Sequence, residues 1–280
     1  MKGKVVVITG ATSGIGEVAA ARLAAMGARI VLVARDLTRG QEMLARLAAV
    51  AGGSAHSVYY ADLSLIAESK RVAAQIAAAQ PRVDVLINNA GAVFSSREMT
   101  ADNLEKTFAT NHMAYFVLTL GLRASLLAGA PARVVSTASA AHKGYTLDFD
   151  DLQSEKGYSA MRAYGRSKLC NILFTRELAR RWKAMGITAN CLHPGFVATR
   201  FGDASGGVLS RVVRMAKTFA ISPEKGAQTL IHLASSPDVA KLSGEYFYQC
   251  RRAVPTEGGR DDAAAGRLWQ ESSKIAAIDN

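Results

Sequence analysis

At 280 residues, of which 49% are hydrophobic, the chain is long enough to bury one large core, and a single α/β domain is the expected organisation. No run of about 18 apolar residues occurs, and the apolar stretch within Met1–Gly10 is too short for a signal peptide, so a cytoplasmic protein without a membrane span is expected. The net charge of +11 favours anionic partners, but the Lys and Arg residues are scattered along the chain, which speaks against a nucleic-acid groove.

In chain order, β-branched runs alternate with longer Ala- and Leu-rich stretches. Strands are expected at Lys4–Thr9, Arg29–Ala34, Ser57–Ala61, Val83–Ile87, Arg133–Ser136, Thr188–Leu192 and Glu245–Tyr248. Helices are expected between them at Gly14–Met26, Thr38–Ala49, Ala67–Ala78, Asn103–Leu127, Met161–Met185 and Pro223–Ser235. This alternation predicts one α/β domain, a doubly wound parallel sheet of about seven strands flanked by helices. Phe201–Ile221 breaks the rhythm with Gly202, Gly206 and Gly207, then an amphipathic stretch with apolar Val208, Val212, Met215 and Phe219 among Arg211, Arg214 and Lys217. A substrate lid would sit at such a place; a membrane contact or a plain surface helix are the other readings. Cys170, Cys191 and Cys250 have neither metal nor disulfide-framework spacing and read as reduced thiols.

The first strand runs into Thr9-Gly10-Ala11-Thr12-Ser13-Gly14-Ile15-Gly16 and then a helix, an order that lets a pyrophosphate rest on free N–H groups at the helix start. Tyr164 and Lys168 have the Y-x-x-x-K spacing, which puts a phenol and an ammonium one turn apart on one helix face. A nearby cation, helped by an oxidised nicotinamide, favours the phenolate, so Tyr164 is expected to move from near pH 10 towards working pH.

Together these motifs resemble the short-chain dehydrogenase/reductase family, over Lys4 to about Trp269. The resemblance implies a Rossmann-type fold and an NADP(H) cofactor, with Gly10, Thr12, Ser13, Gly14, Ile15 and Gly16 at its phosphates. At the end of the second strand Ala34 stands where NAD sites place an acid, and Arg35 matches the arginine that accepts a 2′-phosphate. Asp62 and Leu63 match the adenine contacts, and Asn89, Ala90 and Gly91 belong to the N-N-A-G motif beside the cofactor. Pro194, Gly195, Val197 and Thr199 match the P-G-x-x-x-T turn at the nicotinamide. The catalytic set implied is Asn111, Ser139, Tyr164 and Lys168, of which Tyr164 and Lys168 also touch the cofactor. Asn111 is expected to organise a water beside the lysine through both main chain and side chain, and Ser139 to bond the substrate oxygen. Ser136 competes with Ser139 but falls where the family often has asparagine; His112, without a carboxylate partner at suitable spacing, reads as structural.

Asp150–Gln153, Tyr164–Thr175, Ser243–Phe247 and the 25-residue step from Ser139 to Tyr164 resemble the retinol dehydrogenase and WW-domain oxidoreductase branch. The expected activity is carbonyl–alcohol interconversion, on a lipophilic ketone, aldehyde or secondary alcohol rather than on a retinoid in particular. Pairing into homodimers or homotetramers through the helices at 103–127 and 161–185 is a further implication of the resemblance. A non-catalytic NADP(H)-binding regulator is the alternative, but it has no need of all four catalytic-type residues.

Overall fold

The computed structural model describes residues 1–50, 55–197 and 221–278. Both the expected lid at 201–221, save Ile221, and Thr199 lie outside the described residues. The chain runs β1 (Val5–Thr9), α1 (Gly14–Ala25), β2 (Arg29–Ala34), α2 (Leu37–Val50), β3 (Ser57–Tyr60), α3 (Ile66–Ala79) and β4 (Val85–Asn88). It continues through α4 (Lys106–Phe108), α5 (Ala114–Gly121), α6 (Arg123–Ala128), β5 (Ala132–Thr137), α7 (Ala160–Arg181) and β6 (Ile187–His193). The last elements are α8 (Pro223–Ser235), β7 (Tyr246–Tyr248), β8 (Arg251–Ala253) and α9 (Asp262–Ala276).

The strands form one sheet in the order β3-β2-β1-β4-β5-β6-β7-β8, parallel except for the β7–β8 pair. Strand alternation sends Val6 and Ile8 of β1 into a core with α1, α2 and α8, and Val7 into a core with α3, α5, α7 and α9. Both faces are therefore covered, as the near-continuous apolar strands require. The order reverses between β1 and β4, so the loops leaving these two strands flank a crevice at the carboxyl edge.

Three elements differ from the sequence reading. The expected helix Asn103–Leu127 is broken: Asn103 has a left-handed φ of 57°, Glu105 caps α4, Ala109–Met113 is a π-turn, and Leu122 at φ −97°, ψ 7° separates α5 from α6. β8 is an eighth strand, too short and too charged to register as one. α9 was not expected either, yet its Ala265, Leu268, Trp269, Ser272 and Ala276 form one buried stripe and Asp261 caps it. Trp269 stacks on Phe174 of α7 at 5.9 Å and 15°, and meets Phe116 of α5 edge-on at 5.1 Å. The helices expected to offer a subunit interface are thus partly covered by the chain's own α9. Among the described residues no helix is long and apolar enough to cross a membrane.

Trp269 is 3% exposed and the Arg181 guanidinium lies 4.7 Å over its ring. Trp269→Ala is expected to destabilise by about 3–5 kcal/mol, the usual cost of emptying a buried aromatic site. Urea unfolding would measure it, and a loss below about 1 kcal/mol would mean that α9 is not part of the cooperative core.

Candidate active site

The loop after β1 is shaped by two glycines. Gly10 has φ +66°, and a Cβ there would lie 2.7 Å from Ala90 Cα. At Gly16 a Cβ would come within 2.5 Å of Asn89 Nδ2 and closer still to Gly10 O, so helix and loop touch backbone to backbone. Ser13 is the N-cap of α1 but its side chain caps nothing, which leaves the first-turn N–H groups without that partner. A close-approach loop followed by an uncapped helix start fits a dinucleotide pyrophosphate. Thr12, Ser13, Gly14 and Ile15 lie along this rim, all partly accessible.

Asn89 locks the rim to the sheet. Its Nδ2 donates to Thr9 O at 3.1 Å and Gly10 O at 3.0 Å, while Thr9 Oγ1 accepts from the N–H groups of Asn89 and Ala90. Gly91 follows directly, and a Cβ on it would meet Asn111 Oδ1 at 3.2 Å and Lys168 Nζ at 3.3 Å. Arg35, just past β2, is exposed and makes no ion pair with the described residues. Asp36 beside it accepts from Arg39 N at 2.9 Å and so serves the first turn of α2. Asp62 Oδ1 accepts from Ser64 N and Oγ, which holds the turn after β3 together with the partly buried Leu63. Across the crevice, Gly195 has φ +94°, and Val197 bridges to Ile221 and packs with Ile15 around Gly226. The rim of the N-terminal half and the turn after β6 therefore meet.

Tyr164 and Lys168 stand one turn apart on α7, with the ammonium 5.6 Å from the Tyr164 ring centre. Lys168 is 2% exposed and donates to Thr137 O at the end of β5, 3.0 Å away. Ser139, two residues beyond β5, is hydrogen-bonded to Tyr164. Asn111 sits in the π-turn. Its Oδ1 accepts from Ala92 N at 2.8 Å, and its Nδ2 donates to Ala92 O and Ser167 Oγ, both at 2.9 Å. Both amide hydrogens are thereby used on the protein, so towards a water this side chain keeps only the second lone pair of Oδ1. What the side chain does is pin the loop after β4 against α7.

Burial governs the electrostatics here. It lowers Lys168 to about 7 and raises Tyr164 to about 12, the latter opposed by the hydrogen bond from Ser139. The sequence reading expected the lysine and an oxidised nicotinamide together to draw the phenol down. In the protein alone desolvation outweighs the Ser139 hydrogen bond. Tyr164 is accordingly a protonated phenol at neutral pH.

Several supporting residues escaped the sequence reading. Asn171 Nδ2 donates to the same Thr137 carbonyl as Lys168, at 3.2 Å; its position one turn past the lysine was the available signal. Arg166, inside the Y-x-x-x-K motif, donates to the carbonyls of Asp148 and Asp151 and holds the long connection between Ser139 and Tyr164. His193 Nδ1 accepts from Gly195 N at 3.2 Å and its ring stacks on Tyr248 at 4.7 Å, while burial pushes it down to about 4. His112 is structural as expected: it is fully buried, burial lowers it to about 3, and its Nε2 pairs with Ser272 Oγ of α9.

A tyrosine–lysine pair, a serine and a dinucleotide cradle on one edge of a doubly wound sheet define a nicotinamide-dependent oxidoreductase. The family model described as short chain dehydrogenase matches residues 4–206, and the chain belongs to that family. It is 40% identical to retinol dehydrogenase 12 of Mus musculus, over 99% of this chain and 87% of that one, and 38% identical to mouse retinol dehydrogenase 14 over the same shares. Among solved structures, an uncharacterized protein from Mycobacterium paratuberculosis superposes with a TM-score of 0.79 at 28% identity, covering 99% of this chain and 95% of that one. RhlG of Pseudomonas aeruginosa, solved as an active-site complex with NADP, superposes with a TM-score of 0.71 at 27% identity over 88% and 94%. A Burkholderia cenocepacia short chain dehydrogenase in complex with NADP gives 0.70 at 26% identity over 88% and 96%.

Because Asn171 also serves Thr137 O, Lys168→Met would remove a desolvated ammonium without orphaning that carbonyl. The variant is expected to melt a few degrees higher at pH 6, and to lose turnover by at least roughly 10²-fold. The sign follows from the lowered pKa: burying the ammonium costs stability in full below about 7, and the cost fades as pH rises towards the ordinary lysine value of 10.5. The thermal gain should therefore shrink by pH 9; a loss of stability at pH 6 would contradict the burial argument.

Proposed function

We propose that the chain is an NADP(H)-dependent oxidoreductase that interconverts a lipophilic carbonyl and its alcohol, with Tyr164 as general acid and base. The observation that carries this reading is the convergence of Tyr164, its partner Ser139 and the buried Lys168 beside the dinucleotide cradle. NADP(H), when bound, supplies or removes the hydride. In the reductive direction Tyr164 Oη gives its proton to the carbonyl oxygen as that oxygen gains charge, and in the oxidative direction it takes the proton back. Ser139 Oγ accepts from Ala141 N at 3.1 Å and is hydrogen-bonded to Tyr164, so the two hydroxyls stand together where a substrate oxygen can be bonded by both. Lys168, turned towards Gly91 and Tyr164, favours the phenolate once the proton has left.

Preference for the phosphorylated cofactor is supported by the exposed Arg35 and by Ala34 at the end of β2, where an acid would otherwise meet the ribose. The NADP complexes among the similar structures agree with it. A lipophilic substrate is supported by the retinol dehydrogenases among the relatives and by Phe196, 54% exposed at the turn after β6.

Tyr164→Phe is expected to keep cofactor affinity while turnover falls roughly 10²–10⁴-fold, the range for a lost acid or base; near-normal turnover would remove Tyr164 from the chemistry. Arg35→Ala should weaken NADPH far more than NADH in binding titrations, whereas equal losses would mean that the 2′-phosphate is read elsewhere. Since the protein alone holds Tyr164 protonated up to about 12, carbonyl reduction should persist through neutral pH and alcohol oxidation should rise with pH. An oxidation rate that falls from pH 7 to 9 would reverse that assignment.

A further inference from the structure

Ser139 is fixed through its backbone as well as its hydroxyl. It has extended φ and ψ of −158° and 154° and begins the 3₁₀ turn Ala140–His142. Its carbonyl oxygen faces the N–H of His142 at 3.2 Å and, more closely, the same residue's Nδ1 at 2.6 Å. His142 is 0% exposed, and its ring is met edge-on by Tyr246 at 5.4 Å. On the far side of the ring Thr256 N donates to Nε2 at 3.3 Å.

A backbone N–H can only donate, so Nε2 is the bare acceptor and the ring proton sits on Nδ1, where it is donated to the Ser139 carbonyl. Burial lowers the pKa of His142, in keeping with a neutral ring; a second ring proton would set N–H against N–H at Thr256. Thr256 belongs to the strap between β8 and the turn Glu257–Arg260, and a Cβ on Gly258 would lie 3.2 Å from Tyr145 O. The strap thus lies along the loop that follows Ser139.

We propose that His142 is a positioning residue: neutral and protonated at Nδ1, it clamps the backbone that aims the Ser139 hydroxyl and ties it to the C-terminal strap at Thr256. The proposal rests on the reading of Ser139 as the group that binds the substrate oxygen. It adds a link that neither the glycine loop nor the Tyr164–Lys168 pair supplies, from the serine to a segment more than a hundred positions away in the chain.

The test combines ¹⁵N NMR of the histidine rings in the full chain with four variants, each checked for NADPH affinity and melting temperature. In the wild type the His142 ring should show a protonated Nδ1 and a bare Nε2; the opposite tautomer overturns the proposal. His142→Asn, whose amide nitrogen takes the place of Nδ1, should keep kcat within roughly threefold. His142→Phe fills the space without the donor and should lose roughly 10–100-fold in kcat at unchanged cofactor affinity, the scale expected for a slightly misplaced catalytic group. Wild-type turnover in His142→Phe, or equal loss in the Asn and Phe variants, overturns it.

Thr256→Pro reaches the same clamp from outside the ring, since φ −60° at this position suits proline and the one hydrogen bond removed is that of the N–H, Thr256 Oγ1 having no partner among the described residues. It should release the fixed tautomer and lower kcat; a ring and a rate both unchanged count against the clamp. Ser139→Ala separates the two claims. Normal turnover in that variant sinks the reading of Ser139 itself, whereas loss there with full activity in His142→Phe sinks only the role of His142.

Discussion

The candidate active site is built around an ammonium group taken out of water. Lys168 reaches across from α7 to the Thr137 carbonyl at the end of β5, and with Asn171 at the same carbonyl it joins the helix that carries Tyr164 to the strand that leads to Ser139. Burial makes the contact costly in the charged form, which is why Lys168 is drawn down to about 7. The surroundings answer with order: Asn171 shares the carbonyl, and Asn111 ties the loop after β4 to Ser167 on the same helix. A site held this rigidly presents the Tyr164 phenol in one orientation.

Topology brings the remaining parts to the same place. In a doubly wound sheet every parallel strand delivers its following loop to one edge, and the reversal between β1 and β4 opens the crevice there. The glycine loop, the Asn89–Gly91 segment, Ser139 and the turn at Gly195 come from four different strands and need no further device to converge. Close backbone contact sets their spacing, which explains why Gly10 and Gly16 admit no side chain. The two histidines at this edge act on the backbone: His193 accepts from Gly195 N–H, while His142 donates to the carbonyl of Ser139.

Much of this was legible from the sequence, because glycine spacing and a helical i, i+4 pair encode geometry directly. Strand positions fell within two residues for the same reason, as buried parallel strands read as uninterrupted apolar runs. The break at Ala109–Met113 was not legible: a π-turn follows from Asn111 binding Ala92, a tertiary contact that leaves no local periodicity. α9 carried a readable stripe, but a small-residue stripe with a single Leu-Trp step is faint beside the long aliphatic runs. The rise of Tyr164 in the protein alone was not legible, because spacing shows which charge is near and says nothing of how dry the pocket is.

The most direct measurement of the central claim is to incubate the protein with NADPH deuterated at the transferring nicotinamide carbon and a panel of lipophilic aldehydes and ketones, and to locate the label by mass spectrometry. The account predicts one deuterium on the carbinol carbon of at least one product, matched by an equal amount of NADP⁺ and formed roughly 10²–10⁴-fold more slowly in Tyr164→Phe. Cofactor bound tightly with no label transferred to any member of the panel would contradict it and favour a protein that binds NADP(H) without using it for chemistry.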